Sequence, residues 1–429
     1  MMKNIFILLF LLPLISSCGH DKYQKPEPNK PNSITIKTIE INKINFYFEN
    51  SGSINGYLEG KDFRQSIRTI LLKIEGKNHN SYFVNSKAYP EPNMLNRITK
   101  NDIRTNGMEN SDHKFIFTNA INNSKGNDLS IVITDGIYSV KNGNINDVEV
   151  DIKAAFEKAL TTNTIETVVL KMSSNFDGTY YSETCKLGHK AIKINQSRPY
   201  YILLFGNKDI INKALNEIVV TTDLNGYKEE ARFFVTKGLS VGNTALTLGE
   251  EKKGNFKSAT HGNGVVREII DAEKISGGNL LPKDRYLQFG IALDYSKLPI
   301  PKTYLKNKTN YSIEDNTGYS VEEIIEVDKM DKTSKTFKWI KKQNDTGKFK
   351  YTHIMVVKGK TNLFGDLKIK LNMNFPSWIA ETGSIDDCKI KGDTTTTFAF
   401  DRLMKGVSTA YQKTNNKNEF FEIKINIKQ

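Results

Sequence analysis

Apolar positions recur at two different spacings along this chain, and the change from one to the other divides it. Between residues 37 and 222, short apolar runs alternate with stretches of helical period. Residues 44–48 form an apolar run that predicts a buried strand. Residues 63–74 place apolar side chains at 63, 67, 70, 71 and 74, the period of a helix with one covered face. Further strands are predicted at 82–84, 129–134, 164–172 and 200–205, and helices at 115–122, 150–160 and 209–218. Such alternation predicts an α/β domain over 37–222, built as a doubly wound, mainly parallel sheet with helices on both faces. Residues 84–128 otherwise read as loops, and 173–197 as an irregular loop that projects from the sheet.

After residue 222 the helical period thins and short alternating runs take over. Strands are predicted at 232–236, 286–294, 319–327, 336–340, 353–358, 367–373 and 420–427, separated by turn residues at sandwich-like intervals. Residues 223–429 therefore read as a β-rich, sandwich-like domain. One helix interrupts it at 397–411, covering an edge or end, with the threonines of 394–397 placed to cap its start. No internal repeat of fixed period is visible.

The N-terminal end adds a location. Lys3, an apolar run over 5–15, and Leu14-Ile15-Ser16-Ser17-Cys18 make a targeting segment too short to span a membrane. Its small residues before a cysteine resemble a bacterial lipobox. The resemblance implies that residues 1–17 are a lipoprotein signal peptide and that Cys18 is acylated. Residues 18–36 then form a Pro-rich tether. The expected product is a lipoprotein of the bacterial cell envelope, held at the outer membrane by its lipid, with the face left open.

Composition narrows the partners. A hydrophobic content of 38% and an aromatic content of 10% suffice for packed cores, so this is not a disordered chain. The net charge of +13 is carried by dispersed lysines, with no Arg-rich run or basic aromatic helix, and no nucleic-acid partner is expected. Of three cysteines, Cys185 and Cys388 remain after lipidation, equally readable as a disulfide or as two thiols. The six histidines are scattered without zinc-ligand spacing.

Two short motifs carry the chemistry. The strand at 44–48 runs into Glu49-Asn50-Ser51-Gly52-Ser53, so one carboxylate and two hydroxyls sit where a strand hands over to a helix. The strand at 129–134 ends in Thr134-Asp135-Gly136. In open α/β sheets, ligands bind beyond such carboxyl ends. In this order and context the first domain resembles a von Willebrand factor type A domain with its metal-ion-dependent adhesion site, over about residues 37–220. The resemblance implies direct ligation of a divalent cation by Ser51 and Ser53. Glu49 and Asp135 would act mostly through water, and a threonine from a middle loop would complete the set. Thr105 is the first candidate for that threonine, with Thr99 and Thr118 as alternatives. Mg²⁺ suits such an all-oxygen set, with Mn²⁺ or Ca²⁺ as alternatives. Where the family has aspartate this chain has Glu49, one methylene longer, which moves the carboxylate by about 1.5 Å.

The implied function is binding of a protein partner whose carboxylate fills the open metal position. That is a binding or assembly role rather than an enzymatic one. Two other readings stay open: a metal-dependent phosphoesterase or other hydrolase, and a structural envelope component whose metal site has decayed. Against the first, neither motif has a histidine or an evident base beside it in sequence. Asp386-Asp387 read as surface acidity, Trp339 and Trp378 as core or rim of the β-rich domain, and His261 as part of a solvated loop.

Overall fold

The first strand, β1 (Lys43–Glu49), is buried along nearly its whole length, as an apolar run must be when both faces of its sheet are covered. It belongs to a computed structural model that describes residues 39–101, 110–139, 145, 147–237, 239–259, 264–276, 280–314, 318–361 and 363–429. Cys18, the signal and tether readings, Thr105 and His261 fall outside those residues. From Ile39 to Gln429 the chain forms one compact unit.

After β1 come α1 (Lys61–Ile74), β2 (His79–Val84), β3 (Ala88–Pro90), α2 (Met94–Thr99), α3 (His113–Asn122) and β4 (Asp128–Thr134). There follow α4 (Asp147–Leu160), β5 (Glu166–Tyr181), β6 (Ala191–Gly206), α5 (Lys208–Glu217) and β7 (Tyr227–Phe233). The seven strands form one sheet in the order β3-β2-β1-β4-β6-β5-β7. β1 runs parallel to β2 and β4, while the remaining neighbours are antiparallel. The sheet is thus mixed, not mainly parallel. The cause lies in residues 173–197. They do not form a loose projecting loop but extend β5 and β6 into a long hairpin paired from Glu166–Gly206 to Tyr181–Ala191, and a hairpin imposes antiparallel strands.

Helices cover both faces. Phe46 and Phe48 pack with Ile67 and Ile70 of α1 and Ile210 of α5 on one face. Tyr47 and Val132 turn the other way, toward Phe117 of α3 and Phe156 of α4. This is the period-2 alternation of a strand serving two layers.

The second half supplies β8 (Gly242–Ala245), β9 (Asn255–Ser258), β10 (Glu268–Glu273), β11 (Leu287–Asp294), α6 (Lys302–Lys306), β12 (Tyr311–Ile313), β13 (Tyr319–Glu326), α7 (Lys335–Asp345), β14 (His353–Gly359) and β15 (Gly365–Asn372). It ends with α8 (Ser377–Thr382), β16 (Gly383–Ser384), β17 (Thr397–Phe398), α9 (Phe400–Asn415) and β18 (Glu419–Ile427). A five-stranded sheet, β12-β15-β18-β10-β9, and a four-stranded sheet, β13-β14-β11-β8, enclose one apolar cluster with Phe289 and Met355 from one and Ile369 and Ile423 from the other.

Residues 84–128, expected as loops apart from one helix, also hold β3 and α2, and after residue 222 two expected elements differ. Residues 336–340 lie in α7, not in a strand, because the Ser334 hydroxyl caps the amide of Phe337 and the buried residues Thr336 and Ile340 fall four apart. The C-terminal helix starts at Phe400 with Ala399 in the left-handed region at φ 57°, and no threonine caps it. Its apolar face does not cover the β-rich half. Phe400, Leu403, Met404, Val407 and Tyr411 complete the second face of the seven-stranded sheet. Trp378 joins that same layer, whereas Trp339 stacks on Tyr351 in the β-rich half. Among the described residues, no helix is long and apolar enough to cross a membrane.

Candidate metal centre at the carboxyl end of the sheet

β1 and β4 lie side by side and parallel, but the chain leaves them toward opposite faces. α1 follows β1 onto the face of Phe46, and α4 follows β4 onto the face of Tyr47. A crevice opens between such strands at their carboxyl ends, where the order reverses. Glu49 closes β1 at this point and Asp135 follows β4.

The side chains converge. Glu49 Oε1 accepts the Ser111 hydroxyl. Its Oε2 accepts the Thr134 hydroxyl at 2.5 Å and the Asp135 amide at 3.0 Å. Ser53 donates to Asp135 Oδ2, and the Ser51 and Ser53 hydroxyl oxygens lie 3.3 Å apart. Asp135 Oδ1 accepts the Ile137 amide at 3.0 Å. Both loops turn tightly on glycine. A Cβ at Gly52 would lie 2.8 Å from the Tyr181 ring. Gly136 adopts φ 72°, and a Cβ there would lie 2.7 Å from Tyr201 and 2.9 Å from Phe400.

Burial sets the electrostatics. Glu49 and Asp135 are each 1% exposed. Desolvation raises the Glu49 carboxyl above its usual range, opposed by hydrogen bonds from Ser111, Thr134, Ser51 and the Asp135 amide. Asp135 is pushed up to about 7, by burial first and by the Glu49 charge second. Nearby, His113 Nε2 lies 3.2 Å from Thr134 Oγ1. That hydroxyl already donates to Glu49 and accepts the Gly136 amide at 2.8 Å, so the remaining role for Nε2 is donor. Burial lowers the His113 pKa to about 4, which keeps the ring neutral at pH 7.

The residues suit a hard cation. Two buried carboxyls and four hydroxyls share one network, all of them oxygen ligands, and burial raises both carboxyls, a strain on their ionised forms that a cation would relieve. Among the described residues, no group of three or more His, Cys, Asp and Glu is placed to hold a metal ion, so a cation at this site would draw on hydroxyls and water.

Four of the expected residues, Glu49, Ser51, Ser53 and Asp135, thus meet. Thr99 and Thr118 are exposed on α2 and α3 and do not join them. Two residues escaped the sequence reading, Ser111 and His113, and Thr134 entered it only as part of the Thr134-Asp135-Gly136 motif. The visible trace of Ser111 was local, a serine beside Asp112, which caps the α3 amide of Phe115 at 3.0 Å.

A strap between β16 and α9 crosses this end of the sheet. The Phe398 carbonyl accepts the Tyr138 amide at 3.4 Å, and Thr397 meets the Tyr201 hydroxyl at 2.9 Å. Asp387, expected at the surface, is 2% exposed. It accepts from Tyr180 and Ser182 hydroxyls at 2.9 and 2.7 Å and from the Glu183 and Thr184 amides at 3.0 Å each. Beside it, Cys185 and Cys388 form a disulfide across a separation of 203 residues.

No family model matches the chain, and no curated protein and no solved structure matches it.

Proposed function

We propose that the oxygen cluster beyond β1 and β4 holds a divalent cation, Mg²⁺ first, with Mn²⁺ or Ca²⁺ as alternatives, and that the protein binds a partner's carboxylate through it. The observation that carries this reading is the convergence of Glu49, Ser51, Ser53, Ser111 and Asp135 at the switch point of the sheet. The parallel strands β2-β1-β4, with the reversal between β1 and β4, follow the order of a doubly wound sheet at its switch point, which supports a von Willebrand A-like domain. Ser51 and Ser53 are the direct ligands in this reading. Glu49 and Asp135 hold the hydroxyls and waters, and Ser111 takes the role assigned above to a threonine. A bound cation would supply a positive centre for a carboxylate. With the lipid on Cys18, the protein is an envelope-anchored binding module.

Thermal unfolding with each metal and with chelator tests this. A ligand that binds only the folded state at one hundred times its Kd stabilises by about 2.7 kcal/mol. The melting temperature is expected to rise with metal in the wild type and not in Ser51→Ala or Asp135→Ala. No shift at millimolar metal would sink the proposal and favour a decayed site.

One observation favours a second reading, a metal-dependent phosphoesterase: His113 lies 3.2 Å from Thr134 within the cluster. Turnover of a generic phosphoester that is lost in both Ser51→Ala and His113→Gln would select it.

A further inference from the structure

The oxygen cluster beyond β1 and β4 is closed to solvent. Glu49, Ser51, Ser53, Ser111 and Asp135 are all buried. A carboxylate on a partner protein reaches such a site only after part of the chain moves aside.

Two pieces of chain cover this end of the sheet. One is the end of the β5–β6 hairpin, where the Tyr181 ring lies over Gly52 and Phe176 lies against Gly56. The other is the strap, residues 385–396, whose ends meet where Gly383-Ser384 pairs with Thr397-Phe398. The strap and its base hold side chains that surround Asp135. Burial raises the hydroxyls of Tyr180 and Tyr201 above their usual range, and the nearby Asp135 charge adds to both. Tyr180 donates to Asp387 of the strap, and Tyr201 meets Thr397 at its base. Arg198 of β6 donates to the Asp393 carbonyl at 2.8 Å. Ile390 is buried in the same apolar cluster as Phe48 and Ile137.

The Cys185–Cys388 disulfide joins the two pieces covalently. Both cysteines lie in loops, and residues 385–396 run as loop from β16 to β17. Strap and hairpin can therefore part without breaking a strand ladder. Cys185 is buried, whereas Cys388 is exposed.

We propose that this disulfide is a redox clasp that keeps the candidate metal centre covered, and that a dithiol of a partner protein opens it. The inference rests on the cation reading above and adds the regulation of that site. A thiolate of the dithiol attacks Sγ of the exposed Cys388, the bond to Cys185 breaks, and Cys185 leaves as a thiolate. The second thiol of the dithiol then displaces Cys388 from the mixed disulfide. Two electrons pass to the protein, both cysteines end as thiols, and the dithiol ends as a disulfide. With the clasp open, hydrogen bonds and the Ile390 contact alone hold the strap to the hairpin, and local opening exposes the acids beneath.

Carbodiimide coupling of glycine ethyl ester to carboxyls of the full chain, read by mass spectrometry, tests the proposal, because acids react only when solvent reaches them. In the oxidised protein Glu49 and Asp135 are expected to stay unlabelled. After reduction with dithiothreitol, and in Cys388→Ser, both are expected to react at least about tenfold faster, equivalent to opening made easier by about 1.4 kcal/mol. Glu166, buried at the far end of β5, is expected to stay unlabelled throughout. If Cys388→Ser fails to fold, the reduced wild type decides. Glu49 and Asp135 labelling that is unchanged by reduction would overturn the proposal. So would equal labelling of Glu166, which would make the disulfide a staple of the whole fold. Labelling that opens on reduction but is not slowed by millimolar Mn²⁺ would uphold the clasp and sink the cation reading.

Discussion

Ser111 donates its hydroxyl hydrogen to Glu49 across 62 positions of sequence. The bond explains how a carboxylate one methylene longer than aspartate serves at the end of β1. Oε1 reaches Ser111 before α3, while Oε2 reaches Thr134 and the Asp135 amide after β4. The longer side chain joins three segments. Removing the hydroxyl leaves a buried carboxyl oxygen without that donor, at a cost of about 1–3 kcal/mol. Ser111→Ala is therefore expected to lower the urea midpoint and to shrink the metal-induced rise in melting temperature. Glu49→Asp, about 1.5 Å shorter, is expected to do the same, because it cannot span all three segments. Unchanged stability in both variants would show that the network is not formed.

Asp387 gives a second prediction. Its carboxylate gathers three hydroxyls, of Tyr180, Ser182 and Thr184, and two amides from the end of the β5–β6 hairpin, beside the Cys185–Cys388 disulfide. Asp387→Ala leaves buried donors without an acceptor and is expected to cost about 2–4 kcal/mol. Reduction of the disulfide is expected to cost about 2–5 kcal/mol. Because both fasten the strap to the hairpin, their effects should not add. A double-mutant cycle with Cys388→Ser, read by urea unfolding, measures the coupling, and strict additivity would show that strap and hairpin are held independently.

Glu166 predicts a pH dependence away from the candidate metal centre. Burial pushes its carboxyl up to about 7 from an ordinary value of 4.5, against the pull of Arg232 and Lys208 and with a small push from Asp209. Its Oε2 has no partner among the described residues. The folded state therefore holds a proton that the unfolded chain has lost between about pH 4.5 and 7. Stability falls as pH rises through that window, by up to about 3 kcal/mol, and levels off above it. Glu166→Gln does not ionise. It is expected to match the wild type near pH 4 and to exceed it at pH 8, with a difference of about 1–3 kcal/mol in chemical denaturation. Parallel pH profiles for the two proteins would show that Glu166 is not the titrating group.

How far the sequence reached depended on whether a signal was local. The runs at 44–48 and 129–134 announced β1 and β4 because parallel strands covered on both faces must be apolar throughout. The oxygen donors sat in sequence directly after those runs, so Glu49, Ser51, Ser53 and Asp135 were visible. Ser111 was not, since its role depends on where the chain returns 62 residues later. The hairpin extension carried an alternation at Met172, Phe176 and Tyr180, but Ser174 and Gly178 interrupt it and turn composition masked it. In α7, Phe337 and Trp339 alternate as a strand would, while Thr336 and Ile340 lie four apart as on one helix face. The apolar face of α9 showed that it must be covered, and nothing local told which sheet would cover it.

That last assignment has its own test in Gly406. A Cβ built there would lie 2.6 Å from the Glu149 carbonyl oxygen and 3.1 Å from the Lys153 amide nitrogen, both backbone atoms of α4. The two helices therefore touch main chain to main chain, which only glycine permits at this point. Elsewhere in a helix, glycine to alanine gains about 1 kcal/mol of propensity. Here the methyl group meets a backbone that cannot swing aside, and overpacking of this kind costs about 1–3 kcal/mol. Gly406→Ala is expected to lower the melting temperature, Gly406→Val to lower it further, and both to expose α9 to limited proteolysis ahead of the β-rich half. The sign is decisive, because a helix that lay loosely on the surface would be stabilised by the same alanine.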